Sequence, residues 1–172
     1  MSRINTISLD TANDATRTVL DGVKKKIGFL PNLFATLANA PVALDTYVQA
    51  SAILGKSSLS AQEKEAVYLA TSQVNGCDYC LAAHTLFGAK AGLSPQDILA
   101  ARQGELNAYA TLAYQLTESR GHLNDEQIAA ARAAGINDRK IIEVIAVVAV
   151  QTLTNYLNNV ALTDIDFPAI DA

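Results

Sequence analysis

The chain has 172 residues, half of them hydrophobic and 17% charged, with 13 basic against 17 acidic side chains and a net charge of −4. That is enough apolar chain to bury a sizeable core, and it excludes a disordered polypeptide. No basic surplus exists to hold a nucleic acid, and the one basic run, Lys24-Lys25-Lys26, reads as a solvated helix face.

Thirty alanines, no tryptophan and four prolines, without alternating β-branched runs, predict an all-α protein. Asp10 or Thr11 caps a first helix to about Lys26, and Gly28-Phe29-Leu30-Pro31-Asn32 breaks it. A short helix follows over residues 33–39. Pro41 opens the next, which carries Leu44, Tyr47, Val48, Ala52 and Ile53 on one face. Ser60-Ala61-Gln62-Glu63 is a capping box for a helix to about Val74, where Asn75-Gly76 stops it. Cys77 begins a helix ending at Gly92, and Ser94-Pro95 starts another to about Gln103. Helices over 106–119 and from Asn124 to near Gly135 lead to a last one, capped by Asn137, from Asp138 to about Ala161.

Between Ile141 and Val150 that last helix leaves almost no polar face. A helix apolar all round is buried all round, either as a central core helix or at a subunit interface. Both are expected, hence a homo-oligomer. Further on, Asn155, Asn158 and Asn159 share a face. They form either a solvent-facing patch or an amide network ordering an interface or active-site rim, and the sequence leaves the two open.

No linker divides the chain, so residues 1–172 read as a single helical domain, with 1–58 as an arm packed on a core of 59–165. The N-terminus has no long apolar segment, and the longest apolar run, Val144 to Val150, is short of a bilayer span. The expectation is a cytoplasmic protein with no membrane partner.

The chemistry gathers in Cys77-Asp78-Tyr79-Cys80-Leu81-Ala82-Ala83-His84. Two thiols three apart cannot staple a secreted fold, so chemistry is the stronger reading. At a helix start Cys77 lies in the first turn, where free amides and the helix dipole favour a thiolate. Cys80 follows one turn on, and His84 shares the same face as a base or as an imidazolium beside the thiol. Glu65, on the inward side of the preceding helix, can orient His84 if the two helices pack together.

Two plainer readings stand beside this one. The cysteines can be inert buried hydrophobes. Or two cysteines and His84, with Glu65 as fourth ligand, can hold zinc, an uncommon set. A redox sensor or metal-holding module without turnover is therefore an alternative to an enzyme. No Gly-rich phosphate loop, Gly-x-Ser-x-Gly or His-Glu-x-x-His is present, and the thiol chemistry needs no cofactor and no metal.

Glu65 followed by Cys77-x-x-Cys80-x-x-x-His84 resembles the core motif of the alkylhydroperoxidase D-like proteins of the carboxymuconolactone decarboxylase superfamily. Gly28-Phe29-Leu30-Pro31-Asn32-Leu33-Phe34 is similar to an N-terminal signature of its peroxidase-related branch. Leu59 to Glu65 resembles the lead-in helix. Asn155 to Ala161 with Asp164-Ile165-Asp166-Phe167-Pro168 resembles the C-terminal signature. The resemblance implies a helical bundle with a duplicated helical unit, assembled as trimers or hexamers. It implies reduction of a hydroperoxide substrate through a Cys77–Cys80 disulfide. By the same resemblance Cys80 is the peroxidatic thiolate, Cys77 the resolving thiol, and Glu65 and His84 a proton relay. The electron donor so implied is an external dithiol, lipoyl-bearing or thioredoxin-like. Alkylhydroperoxidase D has a histidine between the cysteines where this chain has Tyr79, so the relay is one base shorter. True lactone decarboxylases of the superfamily lack the cysteine pair, so lactone chemistry is the alternative activity that would survive loss of both thiols.

Overall fold

The computed structural model describes residues 2–168. Among the described residues there are nine helices and no strand. They are α1 (Asp14–Ile27), α2 (Asn32–Leu37), α3 (Pro41–Leu54), α4 (Ala61–Val74), α5 (Asp78–Lys90), α6 (Pro95–Arg102), α7 (Ala108–Glu118), α8 (Asp125–Ala133) and α9 (Asp138–Ala161).

The helix boundaries follow from local chemistry. The Ser60 hydroxyl accepts from the Glu63 amide while the Glu63 carboxylate accepts from the Ser60 amide, closing the predicted capping box of α4. Ser94 with Asp97 and Asn124 with Gln127 form two more at α6 and α8. The first helix starts later than its sequence suggests. Ser8 and Thr11 satisfy each other in a turn, and Asn13, not Asp10 or Thr11, caps α1 by accepting from the Thr16 amide.

Helix α4 is the axis of the bundle and packs against α5, α6, α7 and α9. Two apolar clusters result. The larger gathers Val67, Leu69 and Ala70 of α4, Leu112 and Leu116 of α7, and Ile141, Val144, Val147 and Val148 of α9. The second joins the N-terminal helices to the motif: Leu20, Leu33, Leu37 and Leu44 pack with Cys77, Tyr79, Cys80, Ala83 and Phe167. The face predicted on α3 is only partly used, since Leu44 is buried but Ile53 is 67% exposed.

Within a single chain helix α9 is buried on one face only. Its inner face is buried, while Ile142, Ile145, Leu153, Tyr156 and Val160 lie exposed. A helix of 24 residues is about 36 Å long, and α2, α3, α4, α5 and α7 pack along one side of it. By length and composition alone α9 could cross a bilayer. In the fold its inner face packs on α3, α4, α5 and α7 and carries buried Gln151, Thr154, Asn155 and Asn158.

Candidate active site

The chain turns sharply between α4 and α5. Gly76 takes φ +61°, which suits glycine, and the Cys77 amide donates to the Ser72 carbonyl. This places Cys77 at the N-cap of α5 rather than inside its first turn. The Cys80 amide donates to Cys77 Sγ at 3.3 Å. Both thiols are free and buried.

The two thiols differ in environment. Cys80 accepts from Asn158 Nδ2 at 3.3 Å and from the Cys77 thiol, and it lies in the field of His84. The Cys77 hydrogen bond is the largest cause that draws Cys80 down to about 6; burial opposes it, and His84 and Asn158 assist. Cys77 moves the opposite way. It spends its proton on Cys80 and is buried, so its thiol is held in the neutral form. The Cys77 thiol donates towards Cys80, so of the two sulfurs Cys80 is the one that favours the thiolate.

The packing of α4 on α5 brings Glu65 to His84, with 2.8 Å between Oε2 and Nδ1. Burial alone would lower His84. The Glu65 carboxylate, the negative Cys80 and the Gln151 carboxamide together outweigh it and hold the imidazole above its usual value. The two side chains keep 15% and 14% of their surface, so they form the wet edge of an otherwise dry site. Tyr68 stacks on the imidazole at 4.4 Å between centroids, and Tyr47 stands within the field of Cys80 and Glu65. Burial pushes the Tyr47 hydroxyl up to about 12 and the Tyr68 hydroxyl higher, so both stay neutral hydrogen-bonding groups.

Below the sulfurs lies an amide layer. Asn155 and Asn158 are buried, which selects the network over the solvent-facing patch. Asn155 donates to Ser72 Oγ and accepts from Asn75 Nδ2, Gln151 donates to the same Ser72 Oγ, and Asn159 donates to the Asn75 carbonyl. Tyr79, between the cysteines, faces away from this layer. Its hydroxyl donates to Asp166 at 2.8 Å and accepts from the Leu33 amide, while Asp166 also accepts from the Asn32 amide. The N-terminal and C-terminal segments noted in the sequence are thus tied together at the residue between the thiols.

All four sequence-selected residues, Glu65, Cys77, Cys80 and His84, therefore meet in one site. Tyr68, Ser72 and Gln151 were missed. A signal existed: Glu65, Tyr68 and Ser72, at i, i+3 and i+7, put a polar stripe on the inward face of α4. Among the described residues no group of three or more His, Cys, Asp or Glu side chains is arranged to hold a metal. A groove of about 860 Å³, lined by Leu81, Thr85, Leu86, Leu99, Arg102 and Phe167, runs along α5. At 100° per residue most of its α5 contacts, 78, 82, 85, 86 and 89, lie on the side opposite Cys80 and His84, with Leu81 between the two sides.

Residues 37–116 match the model of the Carboxymuconolactone decarboxylase family, and the match contains Glu65, Cys77, Cys80 and His84. The fold is shared with a solved peroxidase-related protein with an alkylhydroperoxidase AhpD core from Ralstonia eutropha JMP134. The TM-score is 0.84 at 23% identity, over 96% of this chain and 92% of that one. A peroxidase-related protein from Silicibacter sp. TM1040 superposes with TM-score 0.79 at 22% identity, over 95% and 94%. The debrominase Bmp8, solved as a C82A variant with 2,3,4-tribromopyrrole, superposes with TM-score 0.80 at 18% identity, over 96% and 92%. No curated protein sequence matches the chain.

Proposed function

We propose that this chain, a member of the alkylhydroperoxidase D-like and carboxymuconolactone decarboxylase superfamily, is a thiol-dependent hydroperoxide reductase that cycles through a Cys77–Cys80 disulfide. The observation that carries the reading is the asymmetry of the two thiols. Hydrogen bonds from Cys77 and Asn158 draw the Cys80 thiol down beside the His84 imidazole, while Cys77 is held in its neutral form next to it.

The chemistry then follows from the geometry. The Cys80 thiolate attacks the terminal oxygen of R–O–O–H, the O–O bond breaks, and sulfur takes the hydroxyl as a sulfenic acid. The departing alkoxide takes a proton from the His84 imidazolium, which Glu65 holds in place. Cys77 sulfur displaces the hydroxyl from Cys80 sulfur, water leaves, and the disulfide forms. An external dithiol returns two electrons and two protons. The proximity of Cys80 N–H to Cys77 Sγ places the resolving thiol beside the attacking one before the reaction starts. Steady consumption of cumene hydroperoxide with dihydrolipoamide as donor tests the cycle. Loss of consumption in Cys80→Ser supports it, and unchanged consumption refutes it.

The likeness to a debrominase supports a second reading: the same thiolate attacks bromine of a bromopyrrole, the C–Br bond breaks as carbon takes a proton, and Cys77 displaces bromide from the Cys80 sulfur as the disulfide forms. Release of bromide from 2,3,4-tribromopyrrole by the reduced protein separates the two. The exposed apolar stripe of α9, Ile142, Ile145, Leu153, Tyr156 and Val160, supports self-association with a second copy. No charged residue occurs from Val144 to Thr163, the stretch that carries four of these five side chains.

A further inference from the structure

Asn158 lies on the inner face of α9 and is 3% exposed. Its Nδ2 donates to Cys80 Sγ at 3.3 Å, and its Oδ1 is buried with no hydrogen-bond partner. The neighbouring Asn155 differs: both ends of its carboxamide are used, one on Ser72 and one on Asn75. The other buried polar atoms left without a partner, on Ser57, Thr71, Ser119 and Thr163, are hydroxyls, which serve as donor or acceptor. A carboxamide oxygen can only accept. An orphaned acceptor in a dry interior is costly unless a donor arrives. Here it sits on the residue that touches the reactive sulfur.

On the reading of the protein as a hydroperoxide reductase, we infer that Asn158 is a substrate-contacting residue whose Oδ1 accepts the O–H of the hydroperoxide while its Nδ2 holds the Cys80 sulfur. The two ends of one planar amide match the two ends of the reacting pair. Sulfur before attack is an acceptor and meets N–H. The terminal peroxide oxygen carries a donor and meets C=O. As the S–O bond forms and the O–O bond breaks, the hydroxyl passes from oxygen to sulfur while still donating to Oδ1. The Cys80 sulfenic acid is then held by the same hydrogen bond until Cys77 displaces it. Substrates with an O–H on the attacked oxygen are selected, and dialkyl peroxides are not.

The test compares two reactions of Cys80 in the reduced protein, followed by intact mass. One reagent is hydrogen peroxide, which has the O–H. The other is methyl methanethiosulfonate, which reacts with the same thiolate and has no hydrogen-bond donor. Asn158→Leu removes both ends of the amide. If Nδ2 alone matters, both rates fall by the same factor and the peroxide-to-thiosulfonate ratio stays at the wild-type value, which overturns the inference. The expected result is a fall in that ratio of about tenfold, the size of one hydrogen bond gained in the transition state. Asn158→Asp keeps size and an acceptor oxygen and exchanges the donor, so both rates drop but the ratio stays near wild type. A ratio that collapses in Asn158→Asp also overturns the inference, whether or not Asn158→Leu folds. Wild-type protein that reacts with the thiosulfonate and is inert to peroxide overturns the reductase reading, and this inference with it.

Discussion

The two halves of α9 enter the same interior with opposite chemistry. Its N-terminal half contributes Ile141, Val144, Val147 and Val148 to the apolar cluster with α4 and α7. Its C-terminal half buries Gln151, Asn155 and Asn158 under the cysteines. Helix α4 changes in step, from Val67, Leu69 and Ala70 to Thr71 and Ser72. The apolar half is free to be packed tightly and so carries stability. The polar half must satisfy each amide or leave a place for a ligand, and it sets the state of the thiols. Fold and reactivity are therefore expected to respond separately to changes in the two halves.

The largest effects belong to the polar half. Replacing Cys80 by Ser should lower peroxide consumption by at least about a thousandfold, because no other group supplies the nucleophile. Cys77→Ser should instead permit one oxidation per chain and then accumulate sulfinic acid, visible as added mass of two oxygens. Equal turnover in the two variants would remove the distinction drawn between the thiols.

Next in size is a change in the apolar half. Leu69 is fully buried, so Leu69→Ala should cost about 3 kcal/mol of stability in a denaturant titration. The pH profile of Cys80 should not move. A shifted profile would show that the two halves are coupled rather than separable.

The polar half can also be probed without touching sulfur. The Glu65 carboxylate holds the His84 imidazole above its usual value, and the field of His84 helps draw Cys80 down. In the wild-type chain the thiosulfonate reactivity of Cys80 should rise with a midpoint near the value of about 6. Glu65→Gln weakens the imidazolium, so the midpoint should move upward, towards the usual thiol value. A downward or absent shift would mean that His84 does not act on Cys80. The smallest effect at the thiols is expected from the outer face of α9. Tyr156→Glu should reduce the oligomer mass measured by light scattering while leaving that midpoint in place. An unchanged mass would refute self-association through this stripe.

Helix order was legible because its punctuation is local. Ser60 with Glu63, Asn75-Gly76, Ser94-Pro95 and Asn137 each act over one turn, and the structure keeps every one of them. The start of α1 was misplaced because two residue types compete there, and Ser8 with Thr11 closes a turn before Asn13 caps the helix. The meeting of Glu65 with His84 was legible as a possibility only, since it depends on how α4 packs on α5. The amide layer was half legible: the spacing of Asn155 and Asn158 gave the face but not its burial. Tyr79 was read as a missing base, and its tie to Asp166 and Leu33 joins segments more than 40 residues apart in sequence, beyond any local signal.

On the proposed reading Cys77 and Cys80 form one redox centre, a thiolate beside a protonated partner. Its most direct test is the intact mass and free-thiol count of the reduced protein before and after one equivalent of an organic hydroperoxide. The account predicts loss of both thiols and a mass lower by two hydrogens, as an intramolecular disulfide requires. Two thiols still free and an unchanged mass would contradict it.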